Sequence, residues 1–180
     1  IWVAGFSVLT GLSSLLISSI DKIIVNDRLG LAAAGIFSVA TYFGSIIQIP
    51  ARSIVRIASG VIAESWKNND TANILDIYKK TCLNQFIIGS FLFIAICGNL
   101  DLLVGLLPVE YAEAKYVIFW MGLGYLIDMA TGANGVLIGT SSKYKYDTYF
   151  MLLLVVFTFT TNWILIPKLG ITGAAVASCS

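Results

Sequence analysis

The chain contains no histidine. That removes the commonest general base and the commonest metal ligand, and no Ser-His-Asp or Cys-His nucleophile can be assembled from it. Cysteine is scarce. Cys82, Cys97 and Cys179 form no Cys-x-x-Cys pair and lie in or beside apolar runs, which suits packing thiols rather than disulfides or metal ligands. No Gly-x-x-x-x-Gly-Lys-Ser/Thr loop is present, so the chain carries no ATP-binding motif of that kind. Charge is thin as well: 12% of residues are charged, against about 25% in soluble domains. The formal net charge of +1 gives no reason to expect nucleic acid as a partner.

What fills the sequence instead is apolar. Hydrophobic residues make up 58% and the mean hydropathy is +0.88. Residues 1–20, 29–51, 81–100 and 148–167 contain no Asp, Glu, Lys or Arg, and 116–142 contains only Asp128. A helix needs roughly 20 mostly apolar residues to cross about 30 Å of hydrocarbon. The runs therefore predict an all-α, polytopic transmembrane bundle. Five complete spans are expected, at about 2–24, 32–62, 81–100, 116–139 and 148–166, with a truncated sixth starting near Leu169. Trp2, Trp66, Tyr78, Tyr111, Tyr116, Tyr144, Tyr146 and Trp163 near the run ends suit an interfacial belt. The chain opens inside an apolar run without an initiator Met and stops inside another. It is read as a single transmembrane lobe, residues 1–180, of a longer protein.

Alternation of the spans puts Arg52, Arg56, Lys67, Lys79, Lys80, Lys143 and Lys145 on one side and Lys22, Arg28, Lys115 and Lys168 on the other. Seven cations against four place the first side in the cytoplasm.

Polar residues inside such spans should face other helices or a water-filled cavity. In the second span Ser38, Thr41, Ser45, Gln48, Arg52 and Arg56 recur every three or four residues and so share a face. Arg52 and Arg56 are one turn apart, a spacing at which two planar guanidinium forks can grip one phosphate group. The plainer alternative is that both snorkel to the headgroups. Pro50 beside them should kink the helix. Asp128 falls near the middle of the fourth span, where a carboxylate costs about 2.5–3.5 kcal/mol on insertion scales. It either lines a cavity or glues helices together. Asp21 sits near the outer end of the first span, and Thr158 and Asn162 share a face of the fifth.

Residues 162–178, Asn-Trp-Ile-Leu-Ile-Pro-Lys-Leu-Gly-Ile-Thr-Gly-Ala-Ala-Val-Ala-Ser, resemble a signature of the oligosaccharide flippases. These are the O-antigen and polysaccharide export proteins of the multidrug/oligosaccharidyl-lipid/polysaccharide superfamily. Residues 18–25, Ser-Ser-Ile-Asp-Lys-Ile-Ile-Val, followed by Leu29-Gly30 and by Gly35-Ile-Phe-Ser-Val-Ala40, resemble the start of that family's second lobe. The resemblance covers essentially the whole chain. It implies one lobe of a two-lobed transporter in a bacterial cytoplasmic membrane, working by alternating access. The implied substrate is an undecaprenyl-pyrophosphate-linked oligosaccharide for surface polysaccharide assembly. Membrane lipid and the remaining lobe are the other expected partners. Arg52, Arg56, Gln48, Ser45, Thr41 and Asp128 are the cavity-lining candidates. In the related lipid II flippases a sodium site of this lobe uses an Asp matching Asp21 and an Asn matching Asn162. A further carboxylate of that site falls where this chain has Ile166. No catalytic residue, resident metal or cofactor is expected; a sodium ion or a proton would couple transport. The alternatives are a multidrug and toxin extruder of the same superfamily, which favours acidic cavity residues, and a membrane-embedded enzyme of the polysaccharide pathway. The enzyme would need a large polar loop, whereas the longest on the outer side is about 15 residues, 101–115.

Overall fold

The structure is a computed structural model that describes residues 2–141 and 144–179. Helices dominate, and no strand occurs among the described residues. The order is α1 (Trp2–Leu29), α2 (Leu31–Ser45), a 3-10 turn (Ile46–Gln48), α3 (Ile49–Lys67), α4 (Thr71–Gly98) and α5 (Leu100–Gly105). A second 3-10 turn (Val109–Tyr111), α6 (Ala114–Thr131), α7 (Asn134–Gly139), α8 (Tyr144–Leu169) and α9 (Ile171–Cys179) complete it.

Local chemistry sets the boundaries. Gly30, at φ 86°, turns the chain between α1 and α2 with a single residue, in a conformation L side chains rarely adopt. The Asp70 side chain accepts a hydrogen bond from the Asn73 amide at 3.0 Å and caps α4. Pro50 opens α3 and has no N–H to give the Ile46 carbonyl. The Ile49 N–H takes that carbonyl instead, one residue tighter, as a 3-10 bond. The expected kink near Pro50 is thus a short 3-10 turn between two α-helices.

Among the described residues three stretches are long and apolar enough to cross a membrane: Leu31–Lys67, Thr71–Gly98 and Tyr146–Leu169. They correspond to the second, third and fifth expected spans, and the chain is a membrane protein. Their faces are arranged as lipid requires. On α4 the small or polar Thr81, Gln85 and Gly89 are buried, whereas Leu83, Phe86, Ile87, Phe91 and Ile94 are exposed. A soluble helix would turn the other way. α1 forms a helix of 28 residues, more than enough length for a crossing. The expected fourth span, 116–139, is not one continuous helix. It breaks at Gly132, whose φ is +67°, into α6 and the short α7.

α6 is the central element, packing against α2, α4 and α9, while α1 lies between α2 and α8. The largest apolar cluster joins the end of α1 (Ile24, Val25), the start of α2 (Ala34, Phe37), Leu100, the start of α6 (Ala114, Val117), Ile166 of α8 and Ile171 of α9. A second cluster, Ala58, Ile62 and Ala133 with Trp66, Ile77 and Val136, joins α3, α4 and α7. Chain reversals therefore collect at two ends, as alternation of the helices demands. The Lys115 ammonium meets Asp101 Oδ1 at 2.6 Å across the α5–α6 connection, and that carboxylate raises the pKa of the ammonium.

Candidate functional site

Two groups of polar side chains are brought together from helices distant in sequence. The first surrounds an open cavity of about 370 Å³ where the α2–α3 turn, α4, α6 and α7 meet. Gln48, from the 3-10 turn, donates through Nε2 to Asp128 Oδ2 at 2.7 Å. Asp128 lies in the last turn of α6, where the helix dipole disfavours an anion, and the Gln48 amide offsets part of that penalty. Asp128 stands beside the break within the expected fourth span, where Gly132, at φ 67°, ends the helix four residues on. Arg52 lines the cavity and is exposed at its mouth. Among the described residues it forms no ion pair. Gln85 of α4 lines the cavity at 1% exposure, and its Nε2 has no hydrogen-bond partner. The remaining wall is small and apolar: Ala51, Val55, Ala133 and Val136, with Gly132 and Gly135.

The second group is buried between α1, α8 and α9. Asp21, 7% exposed, accepts from Asn162 Nδ2 at 2.6 Å through Oδ1 and from Ser178 Oγ at 2.5 Å through Oδ2. Asn162, wholly buried, also donates to the Thr158 carbonyl at 2.9 Å, and its own Oδ1 accepts nothing. Polar groups from three helices therefore meet at the Asp21 carboxylate, with the Asn162 nitrogen and the Ser178 hydroxyl turned toward it. Among the described residues no group of three or more His, Cys, Asp or Glu side chains could hold a metal. Ile166, the position at which the resemblance would put a further carboxylate, is fully buried in the main apolar cluster. Asp21, near the outer end of its expected span, is thus buried between helices.

The polar stripe of the second span is divided. Gln48 and Arg52 face the cavity; Thr41 and Ser45 turn their hydroxyls to their own helix, onto the Phe37 carbonyl at 2.7 Å and the Tyr42 carbonyl at 2.8 Å. A 3-10 turn advances 120° per residue rather than 100°, so three residues rotate the stripe by roughly 60°. Arg56 is exposed and does not line the cavity. Lys143 lies outside the described residues, as do the side chains of Trp2, Tyr144, Lys145 and Cys179. Cys82 and Cys97 are half-buried free thiols.

Sequence reasoning missed Gln85 and Ser178. Gln85 is a polar amide within an uncharged run, a signal that could have found it. Ser178 lies in the 162–178 motif and one helical turn beyond Ala174.

Comparison with the models of known protein families, with curated proteins and with solved structures finds no match to this chain.

Proposed function

We propose that this chain is one lobe of a flippase that moves a lipid-linked oligosaccharide across a bacterial cytoplasmic membrane by alternating access. The carrying observation is the cavity itself. Gln48, Arg52, Gln85 and Asp128 come from separate elements of an otherwise apolar bundle and converge on one open space. Polar side chains in lipid are expensive, and their convergence on a cavity is the pattern of a route for a polar headgroup. Arg52 at the mouth, with Arg56 one turn further along α3, would meet the diphosphate on the cytoplasmic side. The second polar group, Asp21, Asn162 and Ser178, would hold the coupling cation, with the free Asn162 Oδ1 as a ligand. The family resemblance of residues 162–178 supports the same reading.

The test is complementation. Depletion should leave lipid-linked oligosaccharide on the cytoplasmic face, the wild-type gene should restore export, and Arg52→Ala should fail at equal membrane abundance. Normal export by the Arg52→Ala, Arg56→Ala double variant sinks the phosphate role and leaves two snorkelling anchors. One observation favours a second reading. Asp128 lines the cavity, and a carboxylate there suits a multidrug extruder of organic cations. Proton- or sodium-driven efflux of such cations, lost in Asp128→Asn, would move the assignment to that class.

A further inference from the structure

We propose that the cavity between α3, α4, α6 and α7 holds a single neutral sugar ring, gripped by Gln85, Gln48 and Asp128. This deepens the transport reading and rests on it for the route by which a sugar arrives. Gln85 carries the inference. It is 1% exposed, sits on the inward face of an apolar helix, and keeps an unpartnered donor beside an open cavity. A buried donor without a partner destabilises the fold unless something that enters the cavity accepts from it. The α6 side of the cavity offers an acceptor. Asp128 receives one bond from Gln48 and retains capacity, because a carboxylate accepts up to about four.

The lining selects against a free anion. Among the described residues Arg52 is the one cation of the wall and Asp128 the one anion, so their formal charges offset. Arg56, the second fork that a phosphate clamp would need, is not part of it. Donors and acceptors lining one cavity, with opposite charges that offset, suit vicinal hydroxyls, each of which donates and accepts. Ala51, Val55 and Val136 present apolar surface to the C–H faces of a ring. The volume of about 370 Å³ stands near the lower bound of ligand sites, roughly 300 Å³, and admits one ring rather than a chain of them. The diphosphate then stays outside, toward Arg56, while the first sugar enters past Arg52.

The test uses the purified chain in detergent and its thermal midpoint. The probes are methyl glycosides of a hexose and of an N-acetylhexosamine, inorganic pyrophosphate, and glycine betaine as a zwitterion. Sugars stabilise proteins non-specifically by exclusion, so the readout is the increment that wild type shows beyond two variants. Gln85→Leu removes the free donor at similar volume, and Val136→Phe fills the cavity without touching its polar groups. The expected result is a saturable rise in midpoint with at least one glycoside, lost in both variants. Equal increments in wild type and variants overturn the proposal. So does a larger saturable increment from pyrophosphate or from glycine betaine, which would mark an anion or a zwitterion site. If the glycoside increment is seen, yet the full two-lobed protein fails to restore export in the depleted strain, the transport reading alone is lost. If export is restored without any increment, this inference alone is lost.

Discussion

Replacing Gly132 by alanine should be among the most damaging single-methyl changes in this chain, and the geometry sets its size. The residue ends α6 at φ 67° and ψ −134°, a conformation open to glycine and poor for any L side chain. A Cβ built there would lie 2.5 Å from Cys82 Sγ and 3.0 Å from the Cys82 backbone nitrogen. The left-handed backbone costs roughly 1–2 kcal/mol, and overpacking of one methyl against α4 adds roughly 1–3 kcal/mol. Gly132→Ala should therefore destabilise by about 2–5 kcal/mol, which at about 2–4 °C per kcal/mol lowers the thermal midpoint by at least about 4 °C. Gly135, three residues on, is the internal control. Nothing lies within 4 Å of its Cβ position, and alanine inside a helix gains up to about 1 kcal/mol over glycine. Gly135→Ala should be neutral or stabilising. Removing the sulfur with Cys82→Ala should recover only part of the Gly132→Ala loss, because the backbone nitrogen at 3.0 Å and the positive φ both remain. Thermal unfolding of the purified chain in detergent, followed by tryptophan fluorescence, measures all four variants. Equal midpoints for Gly132→Ala and Gly135→Ala would refute the assigned helix break. Complete rescue by Cys82→Ala would refute the backbone contribution.

Asn162→Ala should cost about 2–4 kcal/mol, since it strips Asp21 Oδ1 of a donor in a buried setting and opens a void between α1 and α8; a change under about 0.5 kcal/mol in the same unfolding assay would show the pair to be idle. Asp128→Asn keeps an acceptor for Gln48 Nε2 and should stay within about 0.5 kcal/mol of wild type. Its export should nevertheless be lost if the carboxylate's charge matters, and a stable, fully active variant leaves Asp128 as a helix-gluing group. A cysteine at Asn69, in the turn between α3 and α4, should be shielded from an impermeant thiol reagent in intact cells. One at Glu110, beyond α5, should be labelled; the reverse pattern overturns the charge-based orientation.

Much of the architecture was legible because lipid imposes a coarse rule. Long uncharged runs must be helices, and three of those expected emerge as helices of spanning length and hydropathy. What run length alone does not reveal is where a helix breaks inside a run. The fourth expected span turns polar around Gly132, with Asp128, Thr131 and Asn134 close by, and that dip, with the positive φ of Gly132, marks the break between α6 and α7. The six-residue stripe of the second span obeyed helical spacing, but the spacing assumed one uninterrupted α-helix. Pro50 was read as a kink; its actual effect, a 3-10 turn, rotated Thr41 and Ser45 away from Gln48 and Arg52. Asp21 and Asn162 were singled out from the resemblance, 141 residues apart, and the structure places them 2.6 Å from each other. Their partner Ser178 gave no signal, since serine in a run of alanines reads as a packing residue.

The two polar groups also share a property that their positions alone do not require. Each contains a fully buried amide with one atom unpartnered, Gln85 Nε2 in one and Asn162 Oδ1 in the other. The first lacks an acceptor and the second lacks a donor or a cation, so the two unmet hydrogen-bonding needs are opposite in kind. Gln85 looks onto a space bounded by opposed charges and small apolar walls. Asn162 looks onto a carboxylate already accepting two hydrogen bonds. Replacing either amide by a hydrocarbon of similar size would remove an unsatisfied group, whereas polar residues kept unsatisfied in a bundle are explained by what they bind. α6 packs against α4, which carries Gln85, and against α9, which carries Ser178. It is therefore the element that packs against helices of both groups.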